Sequence, residues 1–178
     1  MARLPYVPAD ISQPADIVDA VRARRGGSLL NLDRTLLHSP ALTKGWNAYL
    51  GAVRTELNPD TQQLRELAIC GVAVMNDAPY EYGHHAPVFM QAGGTAAQAE
   101  GLKNWAAALA NAALYTPAQL AVMRLTDEMT KQVKVSDATF AAARAVLPSD
   151  ADMVELVTTI AAYNMVSRFL VALGVDPE

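Results

Sequence analysis

Thiols are nearly absent from this chain: among 178 residues the one cysteine is Cys70. An intrachain disulfide is therefore excluded, and so is any redox cycle that needs two thiols of the same chain. Charge is sparse as well. Asp, Glu, Lys and Arg make up 18% of the residues against 52% hydrophobic, which excludes a disordered, solvating chain and suits more buried surface than a lone monomer needs. Lys and Arg number 14 against 18 Asp and Glu, a net charge of −4. Basic residues cluster only at Arg22, Arg24 and Arg25, so the electrostatic footprint of a nucleic-acid partner is missing. The opening MARLPYVPAD has no apolar run like that of a secretion signal, and the expected compartment is the cytoplasm.

One segment has the apolar character of a membrane span, residues 156–175. It is interrupted by Thr158, Thr159, Tyr163, Asn164, Ser167 and Arg168, and a guanidinium and an amide in mid-span are unfavourable in hydrocarbon. A buried helix, within a bundle or between subunits, fits better, and no membrane partner is expected.

Helix punctuation is plentiful. Ser39-Pro40, Asn58-Pro59 and Thr116-Pro117 each set a capping side chain before a proline at the first helical position. Thr95, Ser136 and Ser149 are further caps, and Gly26-Gly27, Gly93-Gly94 and Gly174 sit where helices should stop. The pattern predicts helices near 15–25, 30–38, 40–56, 59–76, 80–92, 96–112, 117–132, 137–146 and 150–173. Sustained alternation is missing, as are repeats and long linkers, so the expectation is a single all-α domain over 1–178: an N-terminal arm or cap over 1–40 and a helical core over 41–178.

From Leu67 to Met75 every residue is apolar or glycine, and a helix apolar on all sides is buried on all sides. Arg65 and Glu66 then stand at the edge of a low-dielectric region, where an acid either pairs with a base or holds its proton more tightly. Pairing with a neighbouring arginine, or simple exposure in the first helical turns, is the plainer alternative. The next helix contains Tyr80-Glu81-Tyr82-Gly83-His84-His85. Glu81 is three residues before His84 and four before His85, so either imidazole can meet its carboxylate on one face, as a proton-transfer unit or as an ordinary helix-stabilising pair. Pro87 either kinks this helix, freeing the carbonyl of Gly83 toward the same region, or opens a new one. Glu81, His84 and His85 are all possible metal ligands, but adjacent histidines diverge by about 100° on a helix, and no metal site is expected. Cys70 reads as a small, unreactive, buried hydrophobe.

The stretch Leu64-Arg65-Glu66-Leu67-Ala68 followed by Tyr80-Glu81-Tyr82-Gly83-His84-His85-Ala86-Pro87 resembles the carboxymuconolactone decarboxylase and alkylhydroperoxidase D-like superfamily. The resemblance is strongest over residues 58–94, and looser at Asn31-Leu32-Asp33-Arg34, His38-Ser39-Pro40 and Tyr163 to Arg168. It implies a helical bundle assembled as a homo-oligomer, a trimer or hexamer, with the active site near a subunit boundary. The peroxidase branch of this superfamily carries a Cys-x-x-Cys pair, a histidine four residues after it and a glutamate twelve before it. In that frame Glu66 and His85 match, while Ala78 and Glu81 occupy the cysteine positions. The decarboxylase branch instead has a glutamate and then a histidine one turn later, as Glu81 and His85 do.

The resemblance thus implies a cofactor-free lyase or isomerase acting on a small unsaturated lactone or keto acid. His85 is expected to donate the proton, oriented by Glu81 and tuned by Glu66; His84, Tyr80 and Arg168 are candidate substrate contacts. For Arg168, with Asn164 one turn before it, packing at a subunit seam is the stronger expectation. Two other functions compete: a peroxidase-like antioxidant protein, which the missing Cys-x-x-Cys disfavours, and a non-catalytic oligomeric binding or scaffold protein.

Overall fold

Most helices begin where the sequence punctuates them. In the computed structural model, which describes residues 2–178, the hydroxyls of Thr95 and Thr116 accept from the amides of Gln98 and Gln119. The two glutamine side chains reach back to the threonine amides and close the capping boxes. Asn58 and Ser136 cap through their side chains in the same way. The elements are α1 (Ala15–Arg25), α2 (Asn31–Leu36), α3 (Pro40–Thr55), a 3-10 turn (Pro59–Thr61), α4 (Gln62–Met75), α5 (Pro79–Gln91), α6 (Ala96–Leu102), α7 (Trp105–Leu109), α8 (Pro117–Lys131), α9 (Asp137–Ala145) and α10 (Asp150–Leu173). Among the described residues there is no strand.

Three boundaries and one cap differ from the sequence reading. The helix expected over 96–112 is divided, because the Asn104 side chain accepts from the amide of Ala107 and starts α7 afresh. The segment from Pro59 enters as a 3-10 turn before α4. Pro79 opens α5 at its first position, a start signal of the same kind as the other prolines. Ser39 precedes α3 without capping it through its side chain.

The chain divides into two compact units, one running to Leu57 and including Leu170–Glu178, the other Asn58–Phe169. In the first, α1 and α2 both pack on α3. Asp33 is buried there, taking an ion pair from Arg25 at 2.9 Å and the amide of Leu30 at 3.0 Å. The chain ends meet in the same unit, where the amide of Arg3 donates to the carbonyl of Leu173 at 2.9 Å.

The second unit is built around α4, which packs on α5, α6, α7 and α8. Every residue of α4 from Arg65 to Ala73 is buried; of the apolar run, only Val74 and Met75 are half-buried. Leu67 and Cys70 join Phe89, Leu102, Trp105 and Met123 in the core of this unit. α10 is long and apolar enough to cross a membrane, with a mean hydropathy of 1.5, yet half of that stretch is buried within the chain itself.

Gly71 marks the tightest approach to α4. A Cβ there would fall 2.5 Å from the Trp105 ring, and the indole is fixed by a 2.7 Å hydrogen bond to Asp127. Gly71→Ala is expected to destabilise the protein by about 1–3 kcal/mol through overpacking. Urea unfolding of the two proteins checks it; equal midpoints would mean that the indole yields without penalty.

Candidate active site

The extensive packing of α5 on α4 brings together residues far apart in sequence. Glu66 on α4 and His85 on α5 meet with Oε2 and Nδ1 2.6 Å apart, both buried. With Glu66 as the accepting carboxylate, the hydrogen of a neutral ring lies on Nδ1. Tyr163 from α10 stands edge-on to the imidazole, with centroids 4.8 Å apart and planes at 82°. Arg65, beside Glu66 in sequence, turns elsewhere. Its Nη1 donates to the Asn58 carbonyl at 2.7 Å and to the Thr61 hydroxyl, and lies 3.6 Å from Glu155. Glu66 is therefore partnered by a histidine and not by its neighbouring arginine.

The expected pairing of Glu81 with His85 is corrected. The four-residue spacing does put both on the buried face of α5, but Nδ1 of the ring reaches across to α4. Glu81 is 2% exposed, and neither of its carboxyl oxygens has a hydrogen-bond partner among the described residues. Burial pushes its pKa well above the ordinary value of 4.5, so the group is a neutral acid where exposed carboxyls are ionised. Cys70 lies near both acids; burial, reinforced by Glu66 and Glu81, raises the thiol's pKa and keeps it protonated.

His84 goes a different way from His85. Its Nδ1 is 2.8 Å from the Tyr80 carbonyl one turn back, and its ring stacks on that of Tyr80 with centroids 4.4 Å apart. Tyr80 itself is buried. Arg168 is exposed, with Nη1 donating to the carbonyl and side-chain oxygens of Asn164 at 2.8 and 2.7 Å, both on its own helix. α5 continues through Pro87, and Gly83 and Pro87 are exposed, so the freed carbonyl belongs to the face opposite the acids. Tyr163 was not expected as a site residue. Its one sequence signal is an aromatic hydroxyl within an apolar helix, which equally suits packing.

Among the described residues no three His, Cys, Asp or Glu side chains are grouped to hold a metal ion. An open groove of about 330 Å³ runs beside Ala78, Pro79, Tyr82 and Lys103, but Glu66, Glu81 and His85 do not line it.

Residues 40–128 match the model of the carboxymuconolactone decarboxylase family. No curated protein sequence matches significantly. Among solved structures, one described as the alkylhydroperoxidase AhpD core, an uncharacterized peroxidase-related protein from Ralstonia eutropha JMP134, is 21% identical with a TM-score of 0.81, covering 99% of this chain and 92% of its own. An uncharacterized peroxidase-related protein from Silicibacter sp. TM1040 is 16% identical with a TM-score of 0.78, covering 99% and 90%. A cysteine-to-alanine variant of the debrominase Bmp8, in complex with 2,3,4-tribromopyrrole, is 14% identical with a TM-score of 0.77, covering 100% and 94%. At these identities the likeness establishes the fold.

The state of Glu81 has a measurable consequence. Folding tightens its hold on the proton, so the folded state binds it at pH values where the unfolded chain has released it. Wild-type stability from this group is fully present below the unfolded-state value. It falls as pH rises toward the folded-state value, by up to about 1.4 kcal/mol per pH unit. Glu81→Gln has no such proton to lose. The stability of E81Q relative to wild type should therefore grow with pH above the ordinary carboxyl range, as urea unfolding at a series of pH values will show. A difference that stays constant with pH would mean Glu81 ionises normally.

Proposed function

Because this chain belongs to the carboxymuconolactone decarboxylase family, we propose that it is a cofactor-free acid–base enzyme moving a proton at carbon on a small unsaturated lactone or keto acid. The observation that carries the reading is the buried 2.6 Å contact between Glu66 and Nδ1 of His85. A carboxylate behind an imidazole fixes its tautomer, orients the ring and offsets the charge that appears when Nε2 is protonated. In a decarboxylation the bond to the carboxylate carbon breaks and its electron pair enters the conjugated carbonyl system as a dienolate. CO2 departs, Nε2–H of His85 delivers the proton to carbon, and the ring regains a proton from solvent. The same groups run an isomerisation if the electron pair comes from a C–H bond whose proton a neutral His85 ring first accepts at Nε2 and then returns to another carbon. Glu66, and not Glu81, is the orienting acid in this scheme.

Ligand size supports the reading. The debrominase of similar fold is described in complex with a tribrominated pyrrole, a planar five-membered ring, and an unsaturated lactone has that outline. Peroxidase-related descriptions attach to other proteins of this fold. In this chain Ala78 and Glu81 stand at the expected thiol positions and the only cysteine is a buried, protonated thiol, which disfavours peroxide chemistry. We retain the cytoplasm and a homo-oligomeric assembly as parts of the same proposal.

Turnover is tested with a panel of unsaturated lactone acids and β-keto acids in deuterated water, following CO2 release and deuterium at carbon by NMR. Wild type is expected to catalyse both. His85→Gln should lose about 10²–10⁴ of the rate, and Glu66→Gln should lower kcat more than it raises KM. Full activity in H85Q would remove the imidazole from the mechanism, and peroxide consumption above a buffer blank would favour the antioxidant reading.

A further inference from the structure

Among the described residues, Glu81 is the one side chain with buried polar atoms that lack any hydrogen-bond partner. Left so, a carboxyl group destabilises the fold, whereas methionine or leucine would fill the space with nothing unmet. The position is also inside the chemistry. Glu81 lies one turn before His85 on the same buried face, while His85 gives Nδ1 to Glu66. The ionisable groups gathered here are Cys70 and Glu66 on α4, His85 on α5, and Tyr163 on α10 against the imidazole. The nearest arginine in sequence, Arg65, faces Asn58, Thr61 and Glu155. A negative charge on Glu81 thus has no cation in hydrogen-bond contact with it, whereas a proton on it has no acceptor until a ligand brings one.

We infer that Glu81 acts on the substrate as a neutral carboxylic acid, donating its O–H to the carbonyl oxygen that gains charge as the dienolate forms. The inference rests on the acid–base reading above and adds a substrate class to it: a ring or chain carbonyl conjugated to the carbon that loses its carboxylate, with that oxygen directed at Glu81. The two ends of the reacting system are then served by different groups, carbon by His85 and oxygen by Glu81. A hydrogen bond from a neutral acid strengthens as charge grows on its acceptor, so it favours the dienolate over the ground-state carbonyl. Burial of Glu81 raises its hold on that proton well above that of an exposed carboxyl.

Two stable molecules separate the charged from the uncharged state: tetronate, the anion of an enolised lactone, and neutral 2(5H)-furanone. Calorimetry on wild-type protein should find tetronate bound more tightly. Glu81→Gln keeps an N–H donor and should keep that preference, while Glu81→Met should lose about ten- to a hundredfold of the tetronate affinity. In wild type the preference should fade as pH rises through the ionisation of Glu81, and in E81Q it should not. Infrared difference spectra give a readout independent of ligand and of folding in the methionine variant: a protonated-carboxyl band at pH 7 in wild type, absent in E81Q. No tetronate preference in wild type, wild-type tetronate affinity in E81M, or no such band overturns the inference. Failure of deuterium exchange on every lactone with the tetronate preference intact would reject the proton-transfer reading alone.

Discussion

A helix enclosed on all sides disfavours an acid in its buried stretch unless something meets that acid, and α4 carries Glu66 at the start of that stretch. The rest of the site follows from this constraint. The apolar run from Leu67 through Ala73 forces α4 into the core of its unit. Burial removes water as a partner for Glu66, and the neighbouring helix must supply one. α5 does so with His85, at 2.6 Å. Leaving either member of such a pair alone in the core is far more unfavourable than leaving both on a surface. The pair therefore constrains the packing of α5 on α4 as much as that packing positions the pair.

Two acids on that interface differ in their partners, and burial acts on the one that has none. Glu66 is met by an imidazole; Glu81, one turn from the same imidazole, is met by no hydrogen bond among the described residues. The result is one carboxyl in hydrogen-bond contact with an imidazole and one whose hold on its proton burial tightens. Cys70 stands near both acids and is driven the same way as Glu81, toward its neutral form, which makes it packing material and not a nucleophile.

Much of this was legible from residue order. The caps at Thr95, Thr116 and Ser136 work as read because a cap needs only residues within one turn of it. The all-helical character, the buried helix and the membership suggested by the Glu66 and His85 spacing were also readable, the last because a family frame encodes three-dimensional neighbours as sequence distance. Local spacing misled at Glu81. Four residues on a helix guarantee a shared face but say nothing of which way a ring rotates about its side-chain bonds. The break at Asn104 was missed because an asparagine tolerated within a helix and one that starts a new helix look alike in sequence.

The sequence by itself determined the chemistry available: one thiol, acids at 66 and 81, adjacent histidines at 84 and 85, and a helix too apolar to face water. Only the tertiary structure decided the pairings. It turned His85 to Glu66 and His84 to the Tyr80 backbone, brought Tyr163 edge-on to the imidazole from another helix, and left Arg168 with Asn164 on its own helix surface. The reason is physical. Pairing depends on which faces two helices bury against each other, a property of the packed interface that residue spacing along one helix does not contain.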